Sequence, residues 1–340
     1  MITVVLLTAS FILSVILTGA IKRAAVKLNF MDRPKNELKN HAHPVPYAGF
    51  SIWFCFMIII LGARFFTSYE TGTLYQLRGI VIGGSGIMLL GLFDDIYNLN
   101  FKTKFFWQIA AAFILVYYGI YVKIFPLNLI NIALSVFWVV LVVNAVNIID
   151  VMDGLSVGIS AISALGFFAV ALPTEKLYVN FAALILFGTL SGFWFYNKPK
   201  AKVFMGDTGS LFVGFILASL SMGANYSNIN TLGLFSPFLL LGLPIYDTVL
   251  VSYFRWRRGQ PIFKGSKDHY ALRMGMLGFS EWKIDAVSYA IAAMLSISAF
   301  FITIVPAGYA MAILLLIILF ALIGSSILDT ADPYKDKPEI

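Results

Sequence analysis

The stretch "NAVNIIDVMDGLS", residues 144–156, carries four polar side chains where an apolar run stops. Its flanks read "LSVFWVVLVV" before and "VGISAISALGFFAVAL" after. Between them Asn144, Asn147, Asp150 and Asp153 recur every three residues. On a helix a spacing of three drifts by about 60° per step, so the four cannot share one narrow face. The pattern predicts a helix ending near Asn147, then a polar turn in which Gly154 releases the backbone. Helix capping accounts for one or two of these side chains. It does not account for four oxygen-bearing groups at one membrane edge, where polar groups are usually functional.

The surrounding chain supports a membrane setting. Of 340 residues, 60% are hydrophobic and 12% charged, and the mean hydropathy is +0.87. A soluble domain has no use for so much apolar surface. Eleven candidate spans follow from bilayer thickness, at 2–21, 47–66, 78–93, 105–121, 128–146, 155–172, 178–196, 209–223, 232–251, 284–304 and 307–327. Lipid requires their backbones to be helical. The expected fold is therefore all-α: a polytopic membrane bundle of about eleven transmembrane helices. Its domains are one catalytic unit over 1–328 and a flexible cytoplasmic tail over 329–340. The first segment lacks a basic n-region and a clear cleavage site, and reads as a retained anchor. Glycines 79, 83, 84, 86 and 91 in the third span suit close helix packing. The single cysteine, Cys55, excludes an intrachain disulfide.

Charge gives an orientation. Loops 22–46, 94–104, 147–154, 197–208 and 252–283, with the tail and span edges, hold 20 of the 24 Lys and Arg residues. Only Arg64, Arg78, Lys123 and Lys176 fall on the other side. That bias predicts an outside N-terminus, a cytoplasmic C-terminus and all five loops on the cytoplasmic face. The net charge of +7 is thus a topology signal, not a sign of nucleic acid.

The same face holds the unusual chemistry. In "GLFDDIYNLNFKTKFFWQ" (91–108), Asp94 and Asp95 end one span, and Lys102 and Lys104 begin the next. Adjacent carboxylates can act as a base or hold a divalent cation. In "KPKAKVFMGDTGSLFVGF" (198–215), three lysines precede Asp207 at a helix start that suits phosphate. Asp207 alone could be an N-cap, but the neighbouring carboxylates favour a metal ligand. The loop at 253–283 contains "SKDHYALRMGMLG", where His269 and Arg273, four apart, are expected to share a helical face and meet phosphate oxygens. In "MDRPKNELKNHAHPVPYAGF" (31–50), Lys39 is a further substrate-binding candidate within a basic, proline-broken loop. Hard oxygen ligands without thiolates select Mg²⁺, or Mn²⁺, over softer metals. Clustered cations would neutralise a diphosphate. The chemistry suggested is phosphoryl transfer between a soluble diphosphate compound and a lipid.

"GLFDDIYNL", "NAVNIIDVMDGLS" and "FMGDTGSL" resemble, in order, the three signature loops of the polyprenyl-phosphate N-acetylhexosamine-1-phosphate transferases. The resemblance runs from about residue 32 to 280. It implies that Asp94 and Asp95 serve the lipid phosphate or its deprotonation, that Asn147 and Asp207 hold Mg²⁺, and that Lys104 meets the diphosphate. It places Asp150 and Asp153 in the nucleotide-sugar pocket, with Asn144 beside them as a substrate-binding candidate. It implies a bacterial inner-membrane enzyme that takes a UDP-amino sugar, UDP-GlcNAc above all, and undecaprenyl phosphate, and releases UMP to start a cell-envelope polysaccharide such as lipopolysaccharide or teichoic acid. Two departures set the chain apart from the muramoyl-pentapeptide branch. "DHYALRM" has one histidine where that branch has three, and "PVPYAGF" replaces a "PTMGG"-like run. Beside that branch, the rivals are an ion-coupled transporter, disfavoured because the acids sit at span ends, and an inactive scaffold. Membrane lipids are expected around the bundle. The oligomeric state, with a homodimer among the options, the downstream polymer, and the choice between one-step and phospho-enzyme routes stay open.

Overall fold

The computed structural model describes residues 2–28, 45, 48–65, 71–174, 177–227, 229–261 and 266–334. Among these residues there are thirteen α-helices and no named strand; Val45 and Val203 form one isolated parallel bridge. The helices are α1 (Ile2–Lys27), α2 (Phe50–Gly62), α3 (Thr71–Tyr97), α4 (Phe101–Tyr117), α5 (Asn128–Ile148), α6 (Leu155–Ala171), α7 (Leu177–Asn197), α8 (Gly206–Ser221), α9 (Ser236–Leu240), α10 (Gly242–Arg257), α11 (Tyr270–Met276), α12 (Glu281–Ile304) and α13 (Ala307–Asp329).

Ten of the eleven expected spans overlap one α-helix each and the ninth, 232–251, falls on α9 and α10, but not each helix is a simple span. Six helices among the described residues are long and apolar enough to cross a membrane, namely α1, α3, α5, α7, α12 and α13. A seventh arises if residues 231–257 form one span, broken by a 74° bend between α9 and α10. The sequence suggests a continuous ninth span over 232–251. Pro237 and Pro244 flank the break, and proline removes donors from the helical ladder. Helices α6 and α8, and the stretch 50–65 that includes α2, are apolar but shorter.

The surface shows what surrounds the bundle. Along α13, Leu315, Leu316, Ile318, Leu319, Phe320 and Leu322 are all exposed, Phe320 at 65%. A helix apolar on every face and bare along its length needs lipid, not water, around it. The protein is a multi-pass membrane protein. Its centre is α7, buried on most faces and packed on α1 and α6.

The contact that sets the site is α3 against α8. At Gly91 a Cβ would run into the carbonyl of Asp207, so only glycine lets these two backbones touch. Gly91 lies one turn before Asp94, and this approach puts the end of α3 directly beside the start of α8. The pairing of Val45 with residues 202–204 ties the segment before α2 to the loop leading into α8 (Val45 N to Lys202 O, 3.1 Å; Phe204 N to Val45 O, 3.0 Å).

Candidate active site

Four helix ends meet here. Helix α3 closes at Asn98, which adopts a left-handed φ of 50° and donates its N–H to Asp94 O. Helix α4 opens at Asn100, whose side chain accepts the Thr103 N–H at 3.0 Å. Helix α5 stops at Ile148 and α6 starts at Leu155, with Gly154 at φ 79° between them. The expected helix end followed by a polar turn is what forms.

Asp94 is 3% exposed. Its Oδ1 accepts the Leu99 N–H at 2.8 Å, and its Oδ2 pairs with Lys104 Nζ. The same ammonium reaches Asp207 Oδ2 at 3.3 Å. Asp207 Oδ1 accepts the Asn147 amide at 2.8 Å, and that amide also donates to Ser210 Oγ at 2.8 Å. Lys104, Asp94, Asp207 and Asn147 thus converge from α4, α3, α8 and α5. The oxygens of Asp94 and Asp207 face one point, which the Lys104 ammonium holds.

Asp95 does something different from its neighbour. Its Oδ1 accepts Asp207 N at 2.8 Å, and its Oδ2 accepts Thr208 N at 2.9 Å and the Thr208 hydroxyl. Both oxygens cap the first turn of α8, where free N–H groups and the helix dipole favour a carboxylate. The two adjacent acids thus have different partners: Asp94 faces the Lys104 ammonium, and Asp95 holds the backbone at Asp207 and Thr208.

Asp150 sits half-buried in the turn after α5. Burial, reinforced by the like charges of Asp207, Asp95 and Asp153, pushes its carboxyl up to about 8. Asp153 is buried and accepts Ala201 N at 2.8 Å, while Gly154 N donates to Asn197 Oδ1 at 3.1 Å. These bonds staple the turn to the loop at 197–203. Asn144 does not point into the cluster. It exchanges hydrogen bonds with Gln108 of α4, its amide donating to Gln108 Oε1 at 2.7 Å.

The late loop departs most from expectation. Helix α11 begins at Tyr270, so His269 is its N-cap and does not share a helical face with Arg273. His269 Nδ1 lies 2.8 Å from Asp247 Oδ2, which leaves Nε2 as the ring nitrogen able to meet a ligand. Arg273 is fully buried. Its guanidinium bonds Asp268 Oδ1 at 2.7 Å and the carbonyls of Leu328 and Ala331, each at 2.9 Å, and lies 3.6 Å from the Phe254 ring centre. Arg273 is a structural cation and not a surface phosphate contact, because Asp268, five residues earlier, captures it. Lys39 lies outside the described residues.

Two buried acids were missed by sequence reasoning. Asp247 stands alone in the apolar run "LLLGLPIYDTVLVSYF", and a lone carboxylate in such a run is itself a signal. Asp285, 1% exposed on α12, lies beside Tyr289, whose hydroxyl donates to Gly154 O at 2.7 Å.

The described residues contain no group of three His, Cys, Asp or Glu side chains that could hold a metal by themselves. Asp94 and Asp207 turn carboxylate oxygens toward one point, and the Asn147 amide donates to Asp207 beside it. Acids, an amide and a lysine are thus gathered at helix ends of a multi-pass membrane bundle.

Comparison with known proteins agrees. Residues 77–225 match the glycosyl transferase family 4 profile. The chain is 32% identical over 327 residues to a probable undecaprenyl-phosphate N-acetylglucosaminyl 1-phosphate transferase of Bacillus subtilis, covering 93% of this chain and 89% of that one. It is 32% identical to a decaprenyl-phosphate N-acetylglucosaminephosphotransferase of Mycobacterium tuberculosis, over 83% of this chain and 78% of the relative. A phospho-N-acetylmuramoyl-pentapeptide-transferase of Limosilactobacillus fermentum matches at 37% over 45% of this chain and 46% of its own. The chain belongs to glycosyl transferase family 4.

Proposed function

We propose that this protein transfers N-acetylglucosamine 1-phosphate from UDP-GlcNAc to undecaprenyl phosphate and releases UMP. Similarity along nearly the full length to relatives named for that reaction supports the reading. The observation that carries it is the Lys104 ammonium between the carboxylates of Asp94 and Asp207. Such a site can hold cations and the phosphates that accompany them.

Asp207, Asp94 and the side-chain oxygen of Asn147 would hold Mg²⁺ together with diphosphate oxygens. The bound ion supplies charge neutralisation at the transferring phosphorus. Lys104, which lies between the carboxylates of Asp94 and Asp207, is placed to meet the diphosphate. Asp94 serves the lipid phosphate, as base or as nucleophile, because Asp95 has both oxygens committed to α8. In a one-step route a lipid phosphate oxygen bonds to the sugar-linked phosphorus while the bond to the bridging oxygen breaks, and UMP leaves with that oxygen. One diphosphate replaces another, so alignment and charge dominate the barrier.

Eleven membrane passages, with the N-terminus outside and the site on the cytoplasmic face of a bacterial inner membrane, fit the Lys and Arg bias. A muramoyl-pentapeptide donor fits less well, since the late loop has one histidine and the relative of that name cited above matches under half of the chain. The test is a donor panel: purified protein, a short polyprenyl phosphate, Mg²⁺ and each UDP-amino sugar in turn, with UMP measured. Release with UDP-GlcNAc is expected. Release with UDP-MurNAc-pentapeptide alone would overturn the assignment.

A further inference from the structure

We propose that residues 328–334, which follow and end α13, form a latch that positions His269 for the donor nucleotide, with Arg273 as its pivot. The proposal rests on the proposed reaction and on the expectation from the sequence that His269 meets the donor's phosphate oxygens, for which its Nε2 is the ring nitrogen left able to meet a ligand.

The latch is built from several points. Arg273 Nη1 donates to the carbonyls of Leu328 and Ala331, while its Nη2 holds Asp268 Oδ1. Asp268 also takes Arg258 Nη1 on both oxygens, at 2.8 and 2.9 Å, and the Ser266 hydroxyl at 2.7 Å. Arg258 Nη2 continues to Asp332 at 2.8 Å, and its guanidinium lies over the Tyr334 ring. The Tyr334 hydroxyl accepts the Lys267 N–H at 3.3 Å. Arg257 clasps both oxygens of Asp329. Of the flexible tail expected over 329–340, residues 329–334 are thus held, and 335–340 lie outside the described residues. The long-range hydrogen bonds described for them all end on 257–273, so the late loop is their partner.

The loop residues so held are the ones that aim His269. Asp268 immediately precedes it. On its other side Asp247 receives both His269 Nδ1 and Tyr270 N, each at 2.8 Å. The backbone at 268–270 is therefore clamped between α10 and the latch, and the imidazole is fixed through Nδ1. Arginine suits the pivot because its fork can hold a carboxylate and two carbonyls at once, which an ammonium cannot do in one plane. A buried arginine so fully engaged is costly to disturb. Loosening the tail would free Arg258 and Arg273 to pull Asp268 away, and His269 with it.

The test uses full-length protein in detergent and variants that leave the loop intact. Asp332→Ala with Tyr334→Ala should weaken UDP binding in the presence of Mg²⁺ about tenfold, the scale of one well-placed charge-assisted contact. It should lower kcat/KM for UDP-GlcNAc by a similar factor and leave the KM for polyprenyl phosphate unchanged. In a His269→Ala background the same tail change should add nothing, because the two act through one group. The milder pair Asp332→Asn and Tyr334→Phe, checked by thermal unfolding, guards against a folding defect. Unchanged UDP affinity in the tail variant of a normally folding protein would overturn the latch. So would a full tenfold loss that persists without His269. If His269→Ala alone binds UDP as the parent does, the donor role of His269 fails and the latch falls with it. Failure of every UDP-sugar in the donor panel would instead strike the proposed reaction.

Discussion

Asp95 Oδ1 accepts the backbone N–H of Asp207 at 2.8 Å, so one acid fixes the main chain that presents the other. The pair also separates two roles that adjacent letters in a sequence would merge. Asp95→Ala should remove a helix cap and cost about 1–2 kcal/mol of stability. Asp94→Asn should leave unfolding nearly unchanged and lower kcat by on the order of a hundredfold or more. Thermal unfolding and UMP release, measured on both variants, check the division; equal behaviour in the two assays would reject it.

Asp207 carries the strongest prediction for the proposed cation. Asp207→Ala should abolish turnover while the protein still inserts and elutes as a folded particle. Mg²⁺-dependent rates near those of the parent would reduce Asp207 to an ordinary first-turn acid.

Arg273→Lys should act on stability before chemistry. The lysine cannot reach Asp268, Leu328 and Ala331 together, and burial makes the loss expensive, about 2–4 kcal/mol. Proteolysis should then begin at the end of the chain. A variant with unchanged protease resistance and a raised KM for UDP-GlcNAc would return Arg273 to a direct phosphate role.

The Asp268 carboxyl should make that region acid-sensitive. Burial works to raise its pKa, but hydrogen bonds from Ser266, Arg273 and Arg258 outweigh burial and hold it below the ordinary carboxylate range. A depressed native value means the stabilisation is full above the unfolded value, about 3.9, and is lost as pH falls through the lower native one. Hydrogen exchange at 329–334 should stay slow from neutrality to about pH 4 and quicken below it. Asp268→Asn should exchange fast at every pH, and a variant with the parent's profile would contradict the assignment.

Orientation can be read with single cysteines, because Cys55 is buried and should give a silent background. Ser227→Cys should react with an impermeant thiol reagent added outside intact cells, and Lys267→Cys should not. The reverse labelling would invert the bundle and move the site to the outer face.

Much of this was legible from residue type and spacing. Apolar runs gave the helices, and the interval of three at 144–153 gave the break between α5 and α6. Asp94, Lys104, Asn147 and Asp207 could be named as polar groups at the ends of apolar runs, but that they serve one site was implied by the family resemblance. What stayed hidden depends on partners far apart in the chain. Nothing near Arg273 announces the carbonyls of residues 328 and 331. Nothing near Asp95 shows that the start of α8 lies against it. The 74° bend between α9 and α10 was also missed, because hydropathy is blind to direction.

The amide exchange between Gln108 and Asn144 touches neither carboxylate nor cation, yet the accuracy of the site passes through it. Gln108 lies four residues after Lys104 on α4, and Asn144 three residues before Asn147 on α5. A slip of one residue along either helix swings its side chains by about 100° and separates the two amides. The pair is therefore a registration mark, one turn below the reacting groups. It lets α4 and α5 deliver an ammonium and an amide to the same acid from opposite chain directions, and it should tolerate no substitution that keeps size but loses the two-way bond.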